Sequence, residues 1–196
     1  MNTKKPLKLL SDIHGREKLL LHICCAPDAS YGAPALGEFF DVCGYFFNPN
    51  IQPIEEHEKR LQGACELAEK LGFPLIAENG AKDEWEKAVR GLEDEPERGR
   101  RCEICIRLRL METAKKAAGL GIPVFGTVLT VSPKKDASMI NRIGADVEKT
   151  TGVRFLAADL KKRDGYLKSV RACKELGVYR QQYCGCGFSI KANKTT

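Results

Sequence analysis

The sequence predicts an α/β fold: a Rossmann-like, three-layer arrangement in which a mostly parallel sheet of five strands carries helices on both faces. Three observations predict it. Short apolar runs alternate with amphipathic helical patterns along the whole chain. The runs are continuously apolar, as expected of strands covered on both sides, rather than alternating apolar with polar. Glycines stop two of the helical patterns, Gly72 and Gly119.

The first strand is expected over Leu19–Cys25, ending in a loop from Ala26 to Ser30, with a helix starting near Ser30. Val42–Phe47 is the second strand, closed by Asn48-Pro49-Asn50. Pro53–Leu71 is an amphipathic helix with acids in its first turn, and Pro74–Ala77 a short third strand. A helix follows over Lys82–Arg90. Gly91–Arg101, charged and broken by Pro96 and Gly99, reads as a loop, and Cys102–Ala118 as a helix. Ile122–Val128 is the fourth strand, Asp136–Thr150 a helix, Val153–Ala157 the fifth strand and Asp164–Leu176 the last helix. The chain of 196 residues suits one α/β domain over 1–196, with a tail from about residue 179 that carries Cys-Gly-Cys. In open sheets of this kind ligands collect beyond the carboxyl ends of the strands, so Cys24–Ser30, Asn48–Asn50, Thr127–Lys135 and Asp159 should meet at a site.

No apolar run approaches the ~20 residues that cross a bilayer. The basic start, Met1–Lys8, leads into Ser11, Asp12 and His14 rather than an apolar signal core. No membrane association is expected, and a cytoplasmic location is. The net charge of +6 permits a nucleic-acid partner. Nine cysteines in a cytosolic chain point to metal binding or redox work, and the odd number excludes a fully paired intrachain set.

Cys24 and Cys25 are adjacent at a strand end, where a turn can bring both sulfurs to one centre. Cys102 and Cys105 share one face at a helix start, where the free amides and neighbouring Arg100 and Arg101 favour thiolates. Four thiolates from two loops suit a tetrahedral zinc or a four-iron cluster; the alternative is that the vicinal pair simply caps a buried strand. In Cys184-Gly185-Cys186 the glycine lets the backbone bend enough for a strained, reducible disulfide, unless these are idle tail thiols. Cys43, Cys65 and Cys173 read as core cysteines. Asp28 either ligates a metal or caps the following helix. Arg98, Arg100, Arg101, Arg107 and Arg109 surround the C-x-x-C and are candidates for RNA phosphates, or form a solvated helix face.

Ser11-Asp12-Ile13-His14-Gly15 looks like the first motif of metal-dependent phosphoesterases. With three histidines and no Gly-Asn-His, the chain lacks the rest of that metal set. No Walker or dinucleotide fingerprint is present. Cys25-Ala26-Pro27-Asp28-Ala29-Ser30 stands where a nucleotide-hydrolysing relative would carry a Gly-rich phosphate loop.

Five ordered stretches resemble the QueH-type epoxyqueuosine reductases: Leu19–Ser30, Phe46–Arg60, Arg101–Leu110, Thr127–Lys135 and Gln181–Ser189. The resemblance implies a fold like the nucleotide-binding α/β domains of the HUP group. It implies reduction of the epoxide on a modified base at the tRNA wobble position, giving the cyclopentene of queuosine, with electrons from an external donor. It further implies a [4Fe–4S] cluster on Cys24, Cys25, Cys102 and Cys105, and a redox pair at Cys184 and Cys186 able to close a disulfide. Asp28 is then a candidate for holding a second, mononuclear iron that acts as Lewis acid on the epoxide oxygen. The tRNA would present its anticodon loop as single-stranded RNA, and Tyr183 is either a residue that stacks on a base or a packing residue. The rival reading is a zinc-stapled tRNA-binding module without catalysis.

Overall fold

The structure, a computed structural model, describes residues 16–189; the Ser11–Gly15 motif lies outside the described residues. Strand β1 (Glu17–His22) leads into helix α1 (Ala26–Gly37), β2 (Phe40–Phe46), α2 (Ile54–Leu71), β3 (Leu75–Ala77), α3 (Lys82–Val89) and α4 (Arg100–Gly119). Then come β4 (Val124–Thr127), a 3-10 turn (Val128–Val131), α5 (Ala137–Thr151), β5 (Arg154–Phe155) and α6 (Gly165–Leu176). The five strands form one sheet in the order β3-β2-β1-β4-β5. Every pairing is parallel, with Leu20 of β1 opposite Cys43 of β2 and Phe125 of β4.

The continuous apolar run of β1 is explained by its central place, since successive side chains must satisfy two cores. Leu20 faces Leu110 and Ala114 of α4 and Ile140 and Ile143 of α5. Leu19 and Leu21 point the other way, onto Ala33 and Leu36 of α1. Ile23 and Phe46 meet Ala64 and Leu67 of α2 on that same side. Helix α6 packs on α1.

Helix α1 departs most from expectation. It begins at Ala26, directly after Cys25, rather than near Ser30. Asp28 therefore stands inside the first turn and caps nothing; Cys25 occupies the N-cap position. The helix contains Gly32 and Pro34, both poor helix formers, so its local signal is weak. Packing compensates: a Cβ on Gly32 would lie 2.8 Å from Val128 Cγ1, so glycine lets α1 approach the 3-10 turn after β4 this closely. Elsewhere the caps explain the ends. Asp136 Oδ1 accepts the amides of Ser138 at 2.8 Å and Met139 at 3.3 Å to start α5, and Gly72 in the left-handed region stops α2. The fifth strand is shorter than its apolar pattern because only two residues reach the sheet edge. No described helix is long and apolar enough to cross a membrane.

Candidate metal and redox centre

The strand order reverses at β1, whose neighbours are β2 on one side and β4 on the other. A crevice at such a point lies beyond the carboxyl ends of the strands. A cavity of about 320 Å³ opens there, walled by the turn after β1 (Cys24, Asp28), the segment after β4 (Ser132–Lys135), Arg109 of α4 and the tail (Arg180–Cys184).

At the sheet end, Cys24 Sγ and Cys25 Sγ are 3.6 Å apart, and the Cys24 thiol donates to Asp28 Oδ2 at 3.4 Å. One ligand atom from each of the three lies within 4.8 Å of the others. Ion–sulfur bonds of about 2.3 Å at a tetrahedral centre place two sulfurs about 3.8 Å apart, so this trio fits a single ion. Burial pushes the Asp28 carboxyl up to about 6, against the thiol hydrogen bonds and the charges of Lys135 and Arg180. The Cys24 thiol is held high by its hydrogen bond with Cys25, by burial and by the nearby acids, with Arg109 opposing.

The turn that presents this trio is locked from below. Ile23 donates its amide to Tyr45 O at 2.8 Å, and Asn48 Nδ2 donates to Ile23 O at 2.9 Å, which gives the Asn48-Pro49-Asn50 turn a purpose. His22 is fully buried. Its Nε2 donates to Phe47 O at 3.3 Å and its Nδ1 accepts from Thr127 Oγ1 at 3.0 Å. Burial and Arg109 lower it to about 3, so it stays neutral.

Cys102 and Cys105 lie in the first turns of α4, as their spacing predicts. Their thiols are nevertheless pushed up, not down, because burial outweighs the helix terminus and the nearby cations. Cys102 Sγ accepts the Arg98 amide at 3.3 Å. Cys105 shares an apolar pocket with Trp85, Val89 and Cys186, where the Trp85 indole N–H is buried without a hydrogen-bond partner.

In the tail, both Cys184 and Cys186 are free thiols in different surroundings. Lys135 Nζ donates to Cys184 Sγ at 3.0 Å and pairs with Glu97 at 3.1 Å. Burial raises the Cys184 thiol, but Lys135 and Arg109 outweigh it, and the net effect is downward. Gly185 has φ +118, and a Cβ there would lie 2.9 Å from Arg60 Nη1, so the residue between the sulfurs must be glycine. Arg60 is buried, its Nε bonded to Glu56 and its two Nη groups donating to Cys184 O at 3.0 Å and Tyr183 O at 3.1 Å. Gln52 completes the clasp, donating its amide to Gly185 O at 2.8 Å and accepting from Tyr183 Oη at 3.1 Å.

The five arginines divide. Arg109 and Arg101 are buried. Arg101 donates to Leu92 O and Glu93 O and lies over Phe188, so it braces the loop before α4 rather than meeting a phosphate. Arg98, though exposed, ties Pro133 O and Lys134 O, and Arg107 pairs with Asp146. Among the described residues, Arg100 alone of the five makes no side-chain hydrogen bond or ion pair. The cations that do face the cavity are Arg60, Arg109, Lys134, Lys135 and Arg180, against Asp28 and Glu97. Sequence reasoning singled out neither Arg60 nor Arg180, because nothing in local pattern shows which distant segment a side chain will meet.

Fold and site together define a parallel α/β protein with a thiol-lined, cationic cavity at the switch point of its sheet. The same fold is found in the U34-tRNA thiolase NcsA from Methanococcus maripaludis, solved with its [4Fe-4S] cluster. The likeness has a TM-score of 0.58 at 14% identity and covers 98% of this chain and 70% of that one. A sequence model of the family described as "Epoxyqueuosine reductase QueH" matches residues 19–192. Proteins of that name are similar throughout: 41% identical in Streptococcus pyogenes serotype M1, covering 90% of this chain and 71% of the relative. In Thermotoga maritima the identity is 38%, covering 88% and 90%; in Dehalococcoides mccartyi it is 41%, covering 88% and 92%. The chain belongs to the QueH family of epoxyqueuosine reductases.

Proposed function

We propose that this chain reduces the epoxide of epoxyqueuosine in the tRNA anticodon loop to the alkene of queuosine, in the cavity at the switch point. The carrying observation is that Cys24 and Cys184 line one cationic cavity together with Arg109, whose Nε donates to Cys105 O, in a chain of this family. The cations suit an RNA loop, and the volume suits one inserted base.

The metal-holding set is Cys24, Cys25, Cys102 and Cys105, with Asp28 beside the first pair. The donor chemistry fits: soft thiolates suit an iron–sulfur centre, and the Asp28 carboxylate beside the first pair suits a further iron. Such a centre supplies single electrons and a Lewis acid for the epoxide oxygen.

The reaction balances as epoxide plus two electrons plus two protons giving alkene plus water. The Cys184–Cys186 dithiol releases two electrons and two protons when it closes a disulfide, and so can supply both. An external thiol or electron-transfer protein then restores the dithiol. Lys135 holds Cys184 toward its thiolate and stands ready to move a proton at that sulfur. Arg60 and Gln52 hold the pair at the cavity wall.

The test is anaerobic incubation of the protein with tRNA carrying epoxyqueuosine, followed by digestion and mass spectrometry of the nucleosides. Loss of one oxygen from the modified nucleoside is the expected result. A colourless protein that holds one zinc, binds the tRNA and leaves the epoxide intact would overturn the proposal.

A further inference from the structure

Arg109 is a buried charge with no carboxylate to balance it. It is 2% exposed. A guanidinium stays charged at any accessible pH, and a buried charge without a counter-ion is strongly unfavourable. Among the described residues, Arg109 forms no ion pair with a carboxylate. Among the described residues its one side-chain hydrogen bond runs from Nε to Cys105 O at 3.2 Å, inside its own helix. That bond fixes the plane of the guanidinium and leaves the two Nη groups for the cavity that Arg109 lines.

The groups whose charge bears most on Arg109 are, in order, Cys105, Cys184, Cys24 and Cys102. These come from α4, the tail and the turn after β1. The geometry agrees: Arg109 lines the cavity with Cys24 and Cys184 and bonds the carbonyl of Cys105, so thiol-bearing residues from three segments of the chain lie around it. The nearby imidazole of His22 is kept neutral and does not compete with it.

We infer that Arg109 is the built-in counter-cation of the metal–thiolate centre: its guanidinium balances the negative charge of the thiolate-bound iron–sulfur group and sets how readily that group accepts an electron. The inference rests on the proposed function, since it takes the thiols to hold iron. The placement has a reason. A cluster bound by several thiolates is anionic, and adding an electron makes it more so. A fixed positive charge in a dry site favours the reduced form more than it would in water. A guanidinium is also weakly hydrated and planar, which suits a buried place among sulfurs better than an ammonium would. Arg109 acts through the group that the thiols hold, and is a positioning and charge-balancing residue.

The experiment compares the wild-type protein with Arg109→Gln and Arg109→Lys, each loaded anaerobically with ferrous iron and sulfide. The readouts are iron and sulfide per chain and the midpoint potential from a redox titration followed by EPR. Arg109→Gln is expected to shift the potential negative or to lose iron. Arg109→Lys, which keeps the charge, is expected to stay nearer the wild type in both. Full iron content with an unchanged potential in Arg109→Gln overturns the inference. The same result with a raised KM for tRNA assigns the guanidinium to the substrate instead.

Should Arg109→Gln not fold, the wild-type protein labelled with 15N-arginine decides. The Nε–H signal missing from Arg109→Lys should be broadened or shifted in the iron-loaded protein and restored after the iron is removed. A signal indifferent to iron contradicts the inference. A wild-type chain that takes up no iron overturns the metal reading and the inference with it; an iron-loaded chain indifferent to Arg109 overturns the inference alone.

Discussion

The two cysteine pairs, Cys24 and Cys25 at the sheet end and Cys184 and Cys186 in the tail, are held by different means. Cys24 and Cys25 are placed by backbone. They follow a central strand whose Leu19, Leu20 and Leu21 are fully buried, and they precede a helix that starts at the next residue. Nothing short of disturbing the sheet moves them. Cys184 and Cys186 belong to no strand. They are placed by groups reaching across from elsewhere: the side chains of Arg60 from α2 and Lys135 from the segment after β4, and the backbone of Gln52 from the loop before α2. A metal site needs ligands that do not move, whereas a thiol pair that opens and closes a disulfide needs freedom to turn. The mode of attachment matches the work proposed for each pair.

The contrast can be broken at either pair. The largest effect is expected at the sheet end: serine at Cys24, Cys25, Cys102 or Cys105 should abolish both metal content and turnover, measured by iron assay and nucleoside analysis. Serine at Cys184 or Cys186 should leave the iron in place and lower turnover by a factor of about 100 or more, the lower end being the loss of proton transfer alone; unchanged turnover would remove the tail from the chemistry. Arg60→Met breaks a buried pair and frees the tail. It should lower unfolding stability by about 3 kcal/mol in a denaturant titration and speed proteolytic cutting near Arg180, with iron content unchanged. Gly185→Ala forces a side chain into a positive-φ position and should cost about 1–3 kcal/mol, again confined to the tail. The subtlest test is of pH. Because the Cys184 thiol is held below its ordinary value, its alkylation rate should rise at a lower pH than that of an ordinary thiol. Lys135→Met removes the opposing cation while burial remains. The midpoint should then move to higher pH, and the rate at neutral pH should fall about tenfold for each pH unit that it moves.

Much of the fold was legible because parallel strands advertise themselves. The runs at Leu19–Cys25, Val42–Phe47 and Ile122–Val128 contain or overlap β1, β2 and β4, and five of the six helices fall within about two residues of their patterns. The start of helix α1 was not legible: it lies at Ala26 rather than near Ser30, in a helix whose Gly32 and Pro34 weaken the local signal and whose Gly32 packs against Val128. In the site, C-x-x-C at a helix start and Cys-Gly-Cys were readable from spacing. Arg101 and Arg109 were misplaced by it. They read as part of a basic surface, yet they face inward, because a helical face is buried or exposed according to what packs on it. Charge alone does not reveal that Arg109 sits among thiols. Arg60 lies in a recognisable motif, but its partner Cys184 is 124 positions away in the chain.

The division of labour between the two pairs is tested most directly by the iron and sulfide content and EPR spectrum of the Cys184→Ser/Cys186→Ser double variant, purified without oxygen beside the wild type. The account predicts about four irons and four sulfides in both, together with any mononuclear iron, and spectra that agree after dithionite reduction. Loss of the cluster in the double variant would contradict it, and would place the tail sulfurs among the metal ligands.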